Sequence, residues 1–422
     1  KQLSEATSQD LFVSEALKRL GPLVQQAELL AAQYDAVVAN PPYMGSGGMN
    51  VLVKKFAKDY FPDAKSDLYS CFIERGTHFA RPNCRSAMVT MHSWMFLSSF
   101  ERMRESLVTN LTLKAMAHLG SRAFDSISGE VVQTTAFVLQ KCALLNHRPV
   151  FLRLVDGGSE EKRISLQDPS KRFDLIEQGR FKDLPGIPLA YSAGPGMLAA
   201  YENASLLGEE TDPRQGLTTS DNAKFVRQWF EVSPEQCGYS CFSTSEALES
   251  EKRWFPYNKG GTFRRWFGNL GEIVDWEDDG SRIRELVCQK YPYLNGNPDF
   301  VTKNRAYYFK SGVTWSRVGS VRLAGRMQPA GVIFSEAGEC IFPEANEVGY
   351  CALLNSNVAQ SFLELIAPTL NLKSSDIARL PAPPPSALAT SEPIGISLVS
   401  RSRADWDAYE RSWDFQSLPL LT

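Results

Sequence analysis

Apolar residues recur at helical spacing through residues 11–32 (LFVSEALKRLGPLVQQAELLAA), and Gly21-Pro22 is placed to interrupt that helix and restart a second. Residues 34–39 (YDAVVA) are a short, nearly continuous apolar run that ends at a Pro-Pro turn, the pattern of a strand buried on both faces of a parallel sheet. The spacing then predicts a helix over 67–80, a strand over 86–91, a helix over 100–108 and strands over 113–119 and 131–140. Strands alternating with helices predict an α/β fold: a doubly wound, Rossmann-like sheet, partial in extent, whose ligands sit at the carboxyl ends of the strands.

After about residue 201 the pattern changes. Apolar runs become short and irregular while Gly, Thr, Arg and aromatic residues become frequent, which predicts a separate mixed α+β domain of short strands and loops. The segment PAPPPSALATSEP (381–393) reads as a Pro-rich linker unsuited to a regular element. ADWDAYERSWDF beyond it reads as a short helical tail docking its tryptophans on the body. The expected division is therefore 1–205, 206–380 and 381–422.

Composition narrows the class. A chain of 422 residues exceeds the size of a single core, and 43% hydrophobic with 22% charged residues is the balance of a globular protein. No apolar run reaches the roughly 20 residues of a membrane span and no secretory leader is visible, so a cytoplasmic location with no membrane partner is expected. The eight cysteines are scattered without a C-x-x-C pair, which predicts reduced thiols and no metal. A formal net charge of −3 gives no global attraction to nucleic acid, so any such partner needs a local basic surface.

The strongest chemical signal is Asn40-Pro41-Pro42-Tyr43, directly after the predicted strand. A chain of this length would contain that tetrapeptide by chance about once in a thousand. An exocyclic amino group on an aromatic ring is a poor nucleophile because its lone pair is delocalised into the ring. Two acceptors aimed at its N–H bonds, the Asn40 side-chain oxygen and the Pro41 carbonyl, would hold the nitrogen toward sp3 geometry and free the lone pair for a methyl donor. The prolines lock φ near −65° and bring no competing N–H. Tyr43 would supply a flat surface for an extruded base, a stack contributing about 1–3 kcal/mol. His92 and Trp94, after a strand, are candidates for the pocket or for the core. Phe124 and Phe137 are both candidates for a second stacking wall.

A second constellation is basic. Between residues 291 and 330, Lys303, Arg305, Lys310, Arg317, Arg322 and Arg326 face a single acid, Asp299, with Tyr307, Tyr308, Phe309 and Trp315 interleaved. Lys259, Arg264 and Arg265 lie in a Gly-flanked loop, and Lys224 lies in the segment GLTTSDNAKFVRQWFEV. These nine residues (Arg305 aside) are the expected contacts to double-stranded DNA, where an arginine on a guanine edge gives about 1–3 kcal/mol of discrimination.

YDAVVANPPYMGSGG, DLYSCFIERG, VTMHSWMFLSSFERMRESL and TTAFVLQ together resemble the second half of the catalytic domain of N6-adenine DNA methyltransferases. WFPYNKGGTFRRWFGN, KSGVTWSRV, LNSNVAQSFLELIAPTLN and the terminal DWDAYERSWDF are similar to the recognition region of large modification methyltransferases, the PglX type of BREX phage-defence systems in particular. The resemblance covers nearly the whole chain. It implies S-adenosylmethionine as methyl donor, a flipped adenine in duplex DNA as target, Asn40 at the border of the cofactor pocket, and other phage-defence proteins as partners. In this family the donor is held chiefly by a glycine-rich turn upstream of Asn-Pro-Pro-Tyr, and the 39 residues preceding Asn40 contain no such turn. The alternatives are a non-catalytic DNA-recognition fragment, a restriction-modification enzyme with an upstream nuclease, or a protein methyltransferase acting on a glutamine amide.

Overall fold

The computed structural model describes residues 11–124, 132–318, 322–368, 371–419 and 421. The chain divides into two compact units, 1–194 and 195–422.

The first unit opens with helix α1 (Leu11–Ala31), strand β1 (Tyr34–Ala39), helix α2 (Val51–Tyr60) and helix α3 (Leu68–Phe79). Strand β2 (Ala80–Met91), helix α4 (Glu101–Asn110) and strands β3 (Thr112–Gly120), β4 (Thr134–Gln140), β5 (Val150–Arg153) and β6 (Arg172–Phe173) follow. Pro22 lies inside α1 without breaking it, contrary to the predicted interruption. A proline removes only its own N–H and frees the carbonyl four residues earlier, and the surrounding residues 18–21 are exposed, so that group is open to solvent.

The six strands are ordered β1-β2-β4-β3-β5-β6. β1 runs parallel to β2 and β3 parallel to β5, but β4 is antiparallel to both β2 and β3, so the sheet is mixed rather than parallel throughout. The reason lies in the connections. β1 and β2 are joined through helices that return the chain to the same edge, whereas no described helix separates β3 from β4. β1 is also not the doubly buried strand its sequence suggested: it stands at the sheet edge, pairs with β2 alone among the described strands, and leaves Val38 79% exposed. A continuous apolar run reports a surface that suits burial, not that a covering element is present. α3 closes on β2 through Gly76, where a Cβ would stand 2.3 Å from Met88 and 2.9 Å from Ser86. That approach seats the Asp67 end of α3 beside the turn that follows β1, through backbone pairing of Gly45 with Asp67.

The second unit is built on two small sheets. One contains strands β7 (Val226–Gln228), β8 (Trp254–Asn258), β9 (Glu272–Asp275) and β12 (Ile333–Phe334), in the order β12-β8-β9-β7. The other contains β10 (Gly312–Thr314), β11 (Arg326–Gln328) and β13 (Cys340–Ile341), in the order β11-β10-β13. Phe225, Phe255, Tyr257, Trp276, Tyr308, Phe309 and Phe334 pack into one core around the first sheet. The segment read as a linker is largely a helix, Pro385–Asp407, with Pro385 in its first turn and Pro393 inside it. A proline at the first helical position costs nothing because its N–H would be unpaired there anyway. The helix ends by burying Trp406 against Phe267, Leu270 and Val332, so the expected docking of the tail tryptophan occurs. Among the described residues no helix is long and apolar enough to cross a membrane.

Candidate functional site

β1 and β2 are parallel, so Ala39 and Met91 mark the same end of the sheet, and the residues that leave both strands meet there. Asn40 is exposed, Pro41 is buried, Pro42 is exposed and Tyr43 is half-buried. Burial of Pro41 anchors the turn while its neighbours face outward. The Tyr43 hydroxyl lies 3.5 Å from both Asn40 Oδ1 and the Val89 carbonyl, long contacts that hold the phenol beside the amide and over β2. Burial raises the Tyr43 pKa, so the hydroxyl keeps its proton.

The turn is braced from behind. Asp67 Oδ1 accepts from the backbone N–H of Met44 at 2.9 Å and of Tyr69 at 3.4 Å, capping α3 and holding the chain just past Tyr43. Burial raises the Asp67 pKa while the N–H groups of Met44, Tyr69 and Leu68 oppose that rise. The Leu68 N–H donates to the Met44 carbonyl at 3.0 Å. The ring of Tyr69 meets that of Tyr43 edge to face at 6.1 Å, and its hydroxyl pairs with Ser93 Oγ at 2.8 Å. Asp67, Tyr69 and Ser93 escaped the reading of the sequence as site residues. The signal available was weak: an Asp at a helix N-cap, 24 residues past Tyr43, has many bland readings.

The other candidates near this end divide. His92 is buried, with Nδ1 2.8 Å from His118 Nε2, and His118 Nδ1 lies 2.9 Å from the Tyr191 hydroxyl. Burial lowers both imidazole pKa values; His92, Arg153 and Lys162 lower that of His118 further. Trp94 is buried and donates to Thr90 Oγ1 at 3.1 Å. Phe137 is buried on β4, edge to face with Trp94 at 5.1 Å, which removes it as a stacking wall. Phe124 stays half-buried, at the last described residue before 125–131.

In the second unit the basic residues separate by environment. Arg326 is fully buried: its Nη atoms donate to the Arg264 and Ala324 carbonyls and to Ser316, and desolvation lowers its pKa to about 10. Its expected contact with DNA is therefore corrected, because a guanidinium inside a packed core cannot reach a phosphate. Arg264 is also corrected: it bonds to the Phe267 and Ser402 carbonyls and Asp405, pinning the C-terminal helix. Arg305 is paired with Asp279 and Asp299, Arg317 lies 3.7 Å from Glu339 and Lys259 3.5 Å from Glu272. Trp315, Tyr308 and Phe309 are core residues. Lys224, Lys310 and Arg322 are exposed, while Arg265 and Lys303 are half-buried, Lys303 donating to Gln215 at 3.0 Å. All eight cysteines are free thiols.

Residues 6–124 match the family described as Eco57I restriction-modification methylase. The chain is 38% identical over 409 residues to an adenine-specific methyltransferase, PglX, of Lacticaseibacillus casei, across 95% of this chain and 33% of that protein. It is likewise 38% identical over 422 residues to the adenine-specific methyltransferase BrxX of Escherichia coli, across 99% of this chain and 33% of that protein. The chain thus spans about a third of the length of these curated relatives. Among solved structures it is similar to the Type IIL restriction-modification enzyme MmeI in complex with DNA, with a TM-score of 0.57 and 13% identity over 90% of this chain and 50% of that one, a likeness of fold. With 38% identity over nearly all its residues and a methylase match across the Asn-Pro-Pro-Tyr turn, the chain is similar to one third of the length of the PglX- and BrxX-type adenine-specific methyltransferases.

Proposed function

We propose that the chain supplies the base-handling edge and the sequence-reading region of an enzyme that transfers a methyl group from S-adenosylmethionine to N6 of a flipped-out adenine in duplex DNA, in phage defence. The observation that carries this reading is an exposed Asn40 beside a half-buried Tyr43, at the carboxyl end of a strand, with the turn anchored by Pro41 and braced by Asp67. In it, Asn40 Oδ1 and the Pro41 carbonyl accept the two amino protons, the nitrogen lone pair turns out of the ring, and Tyr43 stacks on the base.

S-Adenosylmethionine supplies the methyl group in this reading. The described residues do not form a cradle for it: β1 is reached from α1 through a two-residue link, and the lone glycine upstream of Asn40, Gly21, sits inside α1. No step is therefore assigned to the donor beyond its chemistry. The open edge of β1, with Val38 exposed, is where further sheet of a longer parent protein would pair.

Residues 1–205 would then carry the catalytic half, 206–380 target recognition, and 381–422 the tail. For DNA contact the proposal keeps Lys224, Lys310 and Arg322 as exposed cations and Lys259, Arg265, Lys303 and Arg317 as half-buried ones. The experiment is Asn40→Ala in the parent enzyme. The expected result is lost adenine methylation with duplex binding retained; undiminished methylation would overturn the reading.

A further inference from the structure

Apart from the turn at β1, the second unit holds a cavity of about 370 Å³ where the end of the helix Pro385–Asp407 and the turn 412–414 lie over the first small sheet. Its walls are aromatic, from Tyr239, Phe267, Trp406 and Trp413, and Phe242 stands 56% exposed beside them. One side is polar. Arg403 lies 3.5 Å from Asp407 and 3.4 Å from Asp414, with its guanidinium 5.2 Å from the centre of the Phe267 ring. Ser412 donates to Asp407 at 2.7 Å and accepts from the Asp414 N–H at 3.2 Å, so the acidic edge is held in place. The Tyr239 hydroxyl is shielded from solvent beside the Cys237 thiol, whose own proton goes to the Ser233 carbonyl at 3.6 Å. Size, apolar walls and a few convergent polar groups are the attributes of a small-molecule site.

The charges choose the ligand. A phosphate or carboxylate entering would meet Asp407 and Asp414. A cation would have to displace Arg403, which already serves both. A neutral flat heterocycle with donors on one edge and acceptors on another can exchange with this cluster without leaving a charge unpaired. Guanine fits best among the bases: its adjacent N1–H and N2–H donors match the two oxygens of a carboxylate, and its O6 and N7 match the fork of a guanidinium. The aromatic walls would hold the ring face. We propose that this cavity binds a guanine base, with Asp414 or Asp407 on its Watson–Crick edge and Arg403 on O6 and N7. The base can come from a free nucleoside or from an unpaired position in DNA.

The test is titration of the 422-residue chain, following indole fluorescence from Trp406 and Trp413, with guanosine, adenosine, cytidine, a tri-arginine peptide, and a thymidine oligonucleotide carrying one guanine. Guanosine should bind saturably, and about tenfold more tightly than adenosine or cytidine, the difference expected for one charge-assisted pair. Asp407→Asn with Asp414→Asn should erase that preference, and Ala330→Trp, which fills the cavity from its backbone side, should abolish binding of every nucleoside while the unfolding midpoint stays put. Tighter binding of the oligonucleotide than of guanosine assigns the base to DNA, and the reverse to a free nucleoside; either supports the site. Absence of saturable nucleoside binding, a guanosine affinity untouched by both sets of substitutions, or tighter binding of tri-arginine overturns it.

Discussion

Asn40 and Arg326 are both polar side chains at the border of a strand, and they occupy opposite environments. Asn40 leaves β1 into solvent, with its amide beside one phenol; Arg326 opens β11 inside a packed core, with its guanidinium spent on backbone carbonyls and a serine. The first has hydrogen-bonding capacity to offer a ligand, and the second has committed both Nη groups to holding strands together, with only its buried Nε left over. Polar groups carry function where their capacity is left over, and architecture where it is consumed.

The largest effect is expected at Asn40. Asn40→Ala should reduce methylation by the parent enzyme by about a hundredfold or more, the size typical of losing one preorganised polar group at a reacting centre, with duplex binding and unfolding midpoint unchanged. Equal loss of methylation and of folding would place Asn40 with Arg326 as an architectural residue.

Next in size is Arg326→Ala, which strands the Arg264 and Ala324 carbonyls and opens a void in the core. A cost of about 3–5 kcal/mol is expected, as for breaking other buried charged networks, read from denaturant unfolding of the chain. A cost below that of an exposed residue such as Lys310→Ala would show that the buried guanidinium holds nothing.

Within the first unit the buried imidazoles tie stability to pH. His92 and His118 have folded pKa values below the ordinary 6.5, so the unfolded chain binds protons more readily. Their stabilising contribution is complete above about pH 6.5 and declines as pH falls below it, by up to about 1.4 kcal/mol per pH unit for each group that titrates. The unfolding free energy should therefore drop between pH 7 and pH 5, and His118→Gln should flatten the slope. An unchanged slope would mean that this pair is not what resists acid.

The smallest effect belongs to the surface cations. Lys310→Ala and Arg322→Ala should each lower the salt dependence of duplex binding by about one unit of slope while leaving stability within about 0.5 kcal/mol. Arg317→Ala, whose charge already faces Glu339, should change the slope less. A larger change at Arg317 than at Lys310 or Arg322 would invert this order.

The elements of the first unit were legible because each is short-range. The runs at 34–39, 67–80 and 100–108 became β1, α3 and α4 with shifts of a residue or two at their ends. The Pro-Pro turn was legible for the same reason, since proline sets its own φ and needs no distant partner. The basic stretch misled. Its local excess of positive charge counted only neighbours in sequence, while Asp279 and Glu339, which neutralise Arg305 and Arg317, come from outside that window.

By itself, the sequence determined the α/β alternation, the turn at 40–43 with its acceptors, and kinship with adenine-specific methyltransferases, all of which reside in contiguous residues. Only the tertiary structure decided that β1 is an open edge, that β4 runs antiparallel, that Arg326 belongs to the interior and Arg264 to the anchoring of the C-terminal helix, and that Asp67 and Tyr69 stand behind Tyr43. Those facts depend on pairings between residues 23 to 141 positions apart, where burial and register are set by the whole fold and no local pattern records them.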